Sequence, residues 1–287
     1  MTVSGFSFVR NGVTFDYPFI ESISSLLPLC DEFVLAVGKS EDNTLDRIRA
    51  LNSPKLKIIE TAWDASVRSG GAILAQQTNI ALDHVRGDWA VYLQADEVLH
   101  EDDLQTIRKS MEESQQDQRV EGLLFGYKHF YGSYNYVGDS RKWYRREVRA
   151  IKPSAGVRSW GDAQGFRIGE RKLSVRLIPA TVYHYGWVKP PAIQQLKQKQ
   201  FNKLWHSDAW VQENVTEAKE FDYSNGGRLA LFQGSHPSVM TKRIRRSNWE
   251  FRYDPSRVRQ PLRESFLDWA ERKSGYRFAE YKNYKLV

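Results

Sequence analysis

Short apolar runs and helical patterns take turns along the first half of the chain. The runs at 5–9, 33–37, 57–60 and 89–93 are rich in β-branched and aromatic residues and predict strands covered on both faces. Between them, apolar positions recur at helical spacing over 19–27, 45–51 and 73–85. The last of these helices is carried by Ile73, Leu74, Gln77, Ile80, Ala81, His84 and Val85 and closed by Gly87. Polar turns separate the elements, among them Gly38 to Thr44 and a Ser/Gly loop ending at Gly70-Gly71. This alternation predicts an α/β layer fold. After a surface helix over 102–114 the pattern changes to strands at 121–130, 143–151, 174–178 and 181–185, which predicts an antiparallel extension beside the parallel core. From 190 the chain turns helical, over 193–205, from His236-Pro237 to 246, and over 262–273. Residues 1–190 are therefore expected to form the core domain, and residues 191–287 a mainly helical extension packed on it.

The strand 89–93 runs into Gln94-Ala95-Asp96-Glu97, followed by Glu101-Asp102-Asp103. Ligands of open α/β sheets bind beyond the carboxyl ends of the strands, where Asp96 and Glu97 fall. Carboxylates there hold a divalent cation or cap the next helix; the pattern alone leaves both readings open.

Composition narrows the classes. No stretch reaches the roughly 20 apolar residues of a membrane span, and no basic-then-apolar leader opens the chain, so a cytoplasmic protein is expected. The single cysteine, Cys30, sits in an apolar run, which excludes an intrachain disulfide or a cysteine-zinc site. Net charge is +7, and residues 241–287, with thirteen Lys and Arg against six Asp and Glu, carry all of it. Lys242, Arg243, Arg245 and Arg246 either form a solvated face or meet anionic lipid or phosphate. No nucleic-acid motif accompanies them, so no nucleic-acid partner is expected.

The ordered series of segments resembles the family 2 glycosyltransferases with the GT-A fold, a poorly characterised bacterial branch of them. Phe8-Val9-Arg10-Asn11 looks like the first strand and its sugar-nucleotide loop. Glu32 to Val37 with Ser40-x-Asp42-x-Thr44 looks like the second strand and its turn. Gln77-Thr-Asn79-Ile-Ala81 with Gly87-Asp88 resembles the helix leading to the metal-site strand, Gln94-Ala95-Asp96 stands in place of Asp-x-Asp, and Tyr183-His184-Tyr185-Gly186 resembles a downstream histidine segment. Two positions depart from the pattern: Val37 stands where the family commonly has an aspartate, and Gln94 where it has the first acid.

The resemblance implies a mixed α/β GT-A sheet flanked by helices, and an inverting, metal-dependent transferase. It would move a sugar from a nucleotide-sugar donor to a hydroxyl of a glycan or lipid-linked acceptor, in assembly of a surface polysaccharide. Such an enzyme would work in the cytoplasm or at the inner face of an anionic membrane. It implies Asp96 and His184 as ligands of Mn²⁺ or Mg²⁺, with Glu97 as an accessory, and donor contacts from Val9, Arg10, Asn11, Asp42, Asp64, Gln94 and Ala95. Asp162, in a glycine-flanked loop with Trp160, is the expected general base, with Glu147 and Asp139 as substitutes. The residues alone leave other readings. Asp162 also suits a turn, Ser40 and Asp42 a helix entry, His184 an aromatic cluster, and Lys197, Lys199 and Lys203 either phosphate or solvent. The alternative for the whole chain is a non-catalytic protein that binds sugar nucleotides or glycans through a degenerate GT-A site.

Overall fold

A computed structural model describes residues 1–64, 66–67, 70–153, 156–215, 218–258 and 262–287; residues 65, 68 and 69 of the expected Ser/Gly loop lie outside them. The first half alternates β1 (Val3–Val9), α1 (Phe19–Leu26), β2 (Glu32–Gly38), α2 (Thr44–Arg49), β3 (Leu56–Thr61), α3 (Ala72–Leu82) and β4 (Trp89–Tyr92). Next come β5 (Glu97–Leu99), α4 (Leu104–Ser114), β6 (Gly122–Tyr131), β7 (Tyr136–Gly138) and β8 (Arg146–Ile151). They are followed by β9 (Val157–Trp160), β10 (Gly165–Ile168), β11 (Arg171–Lys172) and β12 (Ser174–Trp187). The remainder comprises α5 (Pro191–Asn202), α6 (Asp208–Asn214), β13 (Leu229–Leu231), α7 (Thr241–Arg245), α8 (Leu262–Ser274) and β14 (Lys285–Leu286).

Strands β3, β2, β1 and β4 are parallel neighbours, and β8 joins β4 antiparallel. The sheet continues through β6, β7 and β13, while β12 runs parallel to β6 and antiparallel to β5. This is the α/β fold that the alternating pattern predicts, with the mixed sheet that the resemblance implies; the extension is antiparallel at β8 and β6, as expected, but β12 joins it parallel to β6. Period-two alternation divides its core. In β2, Phe33, Leu35 and Val37 pack with Phe19, Ile23 and Leu26 of α1, while Val34 and Ala36 pack with Ile73 and Ala81 of α3.

Three expectations are corrected. Two strands were expected across 174–185, but β12 is one strand whose register shifts between Leu177 and Thr181, around Pro179, which has no N–H to give the ladder. The glycine-flanked loop at 157–165 is mostly a hairpin: β9 and β10 pair, and Asp162 sits in the turn between them. The helix expected from His236 begins later, as a 3₁₀ turn over Ser238–Met240 leading into α7, because Pro237 is extended at its N-cap and the residue before a proline is biased away from helix.

Candidate active site

A cavity of about 890 Å³ opens beyond the carboxyl ends of β1 and β4. Val9, Arg10, Asn11, Gln94, Ala95, Asp96, Asp162 and His184 all stand on its wall. Asp42 and Asp64 do not. The Asp42 carboxylate accepts from the Thr44 N–H (3.0 Å) and hydroxyl and, across the loop, from the Thr14 N–H at 2.7 Å, which uses it in the turn that leads into α2. Asp64 is exposed and accepts from the Ser66 N–H and hydroxyl at 2.8 and 2.6 Å. Arg10 donates to the Lys39 carbonyl at 3.1 Å and lies over the Trp63 ring, and Asn11 accepts from the Glu41 N–H at 3.0 Å.

Asp96 is the electrostatic centre. Pairing of β5 with β12 sets His184 opposite Glu97, and the Tyr185 N–H donates to the Asp96 carbonyl at 2.8 Å, so the imidazole arrives beside the carboxylate. Asp96 Oδ2 lies 3.3 Å from Lys197 Nζ of α5 and 3.7 Å from His184 Nε2. Burial alone would raise its pKa, but Lys197, His184 and Lys189 together hold it well below the usual carboxylate range. Gly186 makes the approach possible: a Cβ there would lie 2.6 Å from Asp96 Oδ2 and inside contact distance of the imidazole.

His129 stands behind His184 and orients its ring. His129 Nε2 lies 3.1 Å from the Tyr144 carbonyl, which only accepts, so that nitrogen carries a proton. Burial, with His184 beside it, holds the His129 pKa well below the ordinary histidine value, so its Nδ1 is bare and accepts from His184 Nδ1–H at 3.2 Å. His184 Nε2 faces the Asp96 carboxylate. Hard divalent ions sit about 2.1 Å from such donors, so a 3.7 Å separation leaves room for one between them.

Glu97 is not an accessory to Asp96. It is fully buried and gripped by Arg149, whose Nε and Nη2 donate at 2.8 and 2.6 Å, with the Tyr127 hydroxyl on the same carboxylate. A third guanidinium nitrogen, Nη1, donates to the Gln164 carbonyl at 2.9 Å, and Gln94 Nε2 donates to the Ala163 carbonyl at 3.2 Å. The strand end bearing Asp96 is thereby fastened to the turn bearing Asp162.

Asp162 is partly buried, and burial raises its pKa above the aspartate norm against the pull of local N–H groups and Arg149. Glu147, which burial pushes up to about 8 with Glu97 and Asp162 opposing its ionisation, is not on the cavity wall. Asp139 pairs with Arg228 at 2.9 Å, also away from the wall. Trp160, in the same loop as Asp162, is 46% exposed, lies under Arg167 and does not line the cavity.

No protein-family model and no curated protein matches the chain. Similar solved structures include TarS of S. aureus, at 15% identity over 76% of this chain and 41% of that one, with a TM-score of 0.41. Residues 1–349 of TarS in complex with UDP-GlcNAc align at 15% identity over 76% and 68%, with a TM-score of 0.39. Glucosyl-3-phosphoglycerate synthase from Mycobacterium tuberculosis, in complex with Mn²⁺, UDP and glucosyl-3-phosphoglycerate, aligns at 20% identity over 45% and 44%, with a TM-score of 0.30. The chain thus spans less than half the length of the full TarS chain. Likeness at this level says nothing about which atoms react, and the functional reading rests on the cavity itself.

Four of its surroundings were not legible as site residues. Lys189, fully buried, donates to the Asp16 carbonyl at 3.1 Å and lies over the Tyr17 ring; burial, with Lys197 nearby, pushes its pKa well down. Tyr17, His129 and Trp205 line the cavity from distant segments. The only signal for Lys189 is a lone cation between the last strand and Pro190-Pro191.

Proposed function

We propose that the chain is a GT-A glycosyltransferase that inverts the anomeric centre. It takes a sugar from a nucleotide-sugar donor and places it on a hydroxyl of a glycan or lipid-linked acceptor. One observation carries the reading: Asp96 with His184, and Asp162 on a turn tied to the same strand end, stand on the wall of one cavity. The residues fit a divalent ion, since a carboxylate oxygen and an imidazole nitrogen face each other 3.7 Å apart. Among the described residues no cluster of three or more His, Cys, Asp or Glu could hold one alone, so donor phosphate oxygens and water would complete its shell. The nitrogen donor favours Mn²⁺ over Mg²⁺. When bound, the ion neutralises charge on the diphosphate leaving group.

The chain's own residues do the rest. Lys197, on the cavity wall, places positive charge beside Asp96, where a diphosphate would sit. The indole N–H groups of Trp63 and Trp205, buried on the cavity wall and without acceptors among the described residues, would find partners on a polar ligand. Asp162 takes the proton of the acceptor hydroxyl as its oxygen bonds to C1 and the bond from C1 to the phosphate oxygen breaks. Its raised pKa makes it the stronger base. In this reading residues 1–190 form the transferase unit, and residues 191–287 contribute Lys197. The acceptor's lipid would bring the protein to the inner face of a membrane.

Incubation with UDP, GDP, ADP, CMP and dTDP sugars in Mn²⁺ tests the proposal. It predicts slow release of nucleotide from at least one donor, speeded by the right acceptor. A flat response to all, with thermal stabilisation by one of them, would leave a binding protein instead.

A further inference from the structure

Helix α8 wears its polar side inward. Helical spacing sets Phe266, Trp269 and Lys273 on one face with Arg263 and Arg272 flanking them, and Glu264, Asp268 and Glu271 towards the other. The acidic face is the attached one. Asp268 is buried 3.0 Å from Arg228, and Glu271 meets Arg141 at 2.7 Å, Arg145 at 3.0 Å and Arg277 at 3.3 Å. The opposite face is open: Phe266 and Trp269 are 63% and 57% exposed, their rings stacked 5.8 Å apart, and Arg263, Arg272 and Lys273 are exposed beside them. A helix held only by the protein's interior buries its apolar face, so this one is built for a second surface.

We propose that the outer face of α8 docks on an anionic lipid bilayer. Phe and Trp seat at the boundary between headgroups and acyl chains, and cations beside them meet lipid phosphate. Asp268 and Glu271, which anionic lipid would repel, are paired with arginines of the protein, and Glu264 lies on the side away from the aromatic pair. A second copy of this chain is the poorer occupant, because a two-fold contact through this face would set its cations against the cations of the other copy, Arg263 facing Arg272 and Lys273. The proposal stands apart from sugar transfer, and its test needs neither donor nor metal.

The test is flotation of the full chain with vesicles of phosphatidylcholine containing phosphatidylglycerol, against phosphatidylcholine alone. The anionic vesicles should carry the protein, less so as salt rises. F266S/W269S and R263E/R272E/K273E should each lower the bound fraction at least fivefold with an unchanged thermal transition. L231S, which removes another exposed apolar side chain far along the sequence, should not. Equal flotation of the wild type and both α8 variants would overturn the proposal, as would an equal loss in L231S. It also falls if the wild type self-associates through Phe266 and Trp269 while ignoring vesicles.

Discussion

Gly186 shows how much of the site hangs on single atoms. Adding one methyl at this position drives into Asp96 and His184 together, so Gly186→Ala should impair donor binding more than Gly169→Ala, whose Cβ meets no described residue within 4 Å and whose cost is only backbone strain away from the site. Titration calorimetry on the two variants measures the difference. Asp162→Asn is expected to leave donor affinity near normal and reduce turnover by about 10²- to 10⁴-fold. In the wild type, turnover should rise with pH through a pKa above the usual aspartate value, because burial disfavours the ionised base. Glu147 gives a stability prediction of opposite appearance. Its folded pKa of about 8 lies above the unfolded 4.5, so between these values the native state holds a proton that the unfolded chain has released. Stability from this group is therefore full below about pH 4.5 and lost as pH rises towards 8. Glu147→Gln should remove a downward slope of about 1.4 kcal/mol per pH unit, read from denaturant unfolding at pH 5 and 7.5.

At the scale of elements, local periodicity showed β1 to β4 and their helices, because each strand is a short apolar run between turns. It also put Asp96 at a strand end. It did not show what Glu97 does, since that depends on Arg149, which lies 52 residues away on β8. A buried pair leaves no local pattern. The same holds for β9 and β10, whose short strands enclose Asp162, and for Lys197, whose helix read as a solvated face until α5 lay against Asp96. The Arg149–Glu97 pair carries its own expectation. Arg149→Met strands a buried carboxylate and should cost about 3–5 kcal/mol in denaturant unfolding, while adding Glu97→Gln should recover part of it. An undiminished loss in the double variant would mean that Arg149 acts through the Gln164 carbonyl.

The whole molecule changes the meaning of the charge. Composition placed the +7 in residues 241–287 and left a solvated face or an anionic partner as its reading. Arg243, partly buried, is tied to Asp16 and Glu21 at 2.6 and 3.1 Å, and Arg277 is buried against Glu271 and Glu280. Part of the charge thus fastens the last third of the chain to the sheet, helped by β14 on β12 and β13 on β7. What remains outside includes the cations of α8. The sheet, the cavity and the C-terminal segments meet at Asp96, which takes its neighbours from β12 and α5. The most direct measurement is therefore calorimetric titration of the active donor, in Mn²⁺, into the wild type, D96A, H184A and D162N. The account predicts that D96A and H184A lose measurable affinity while D162N binds as the wild type does; undiminished binding by D96A would contradict it.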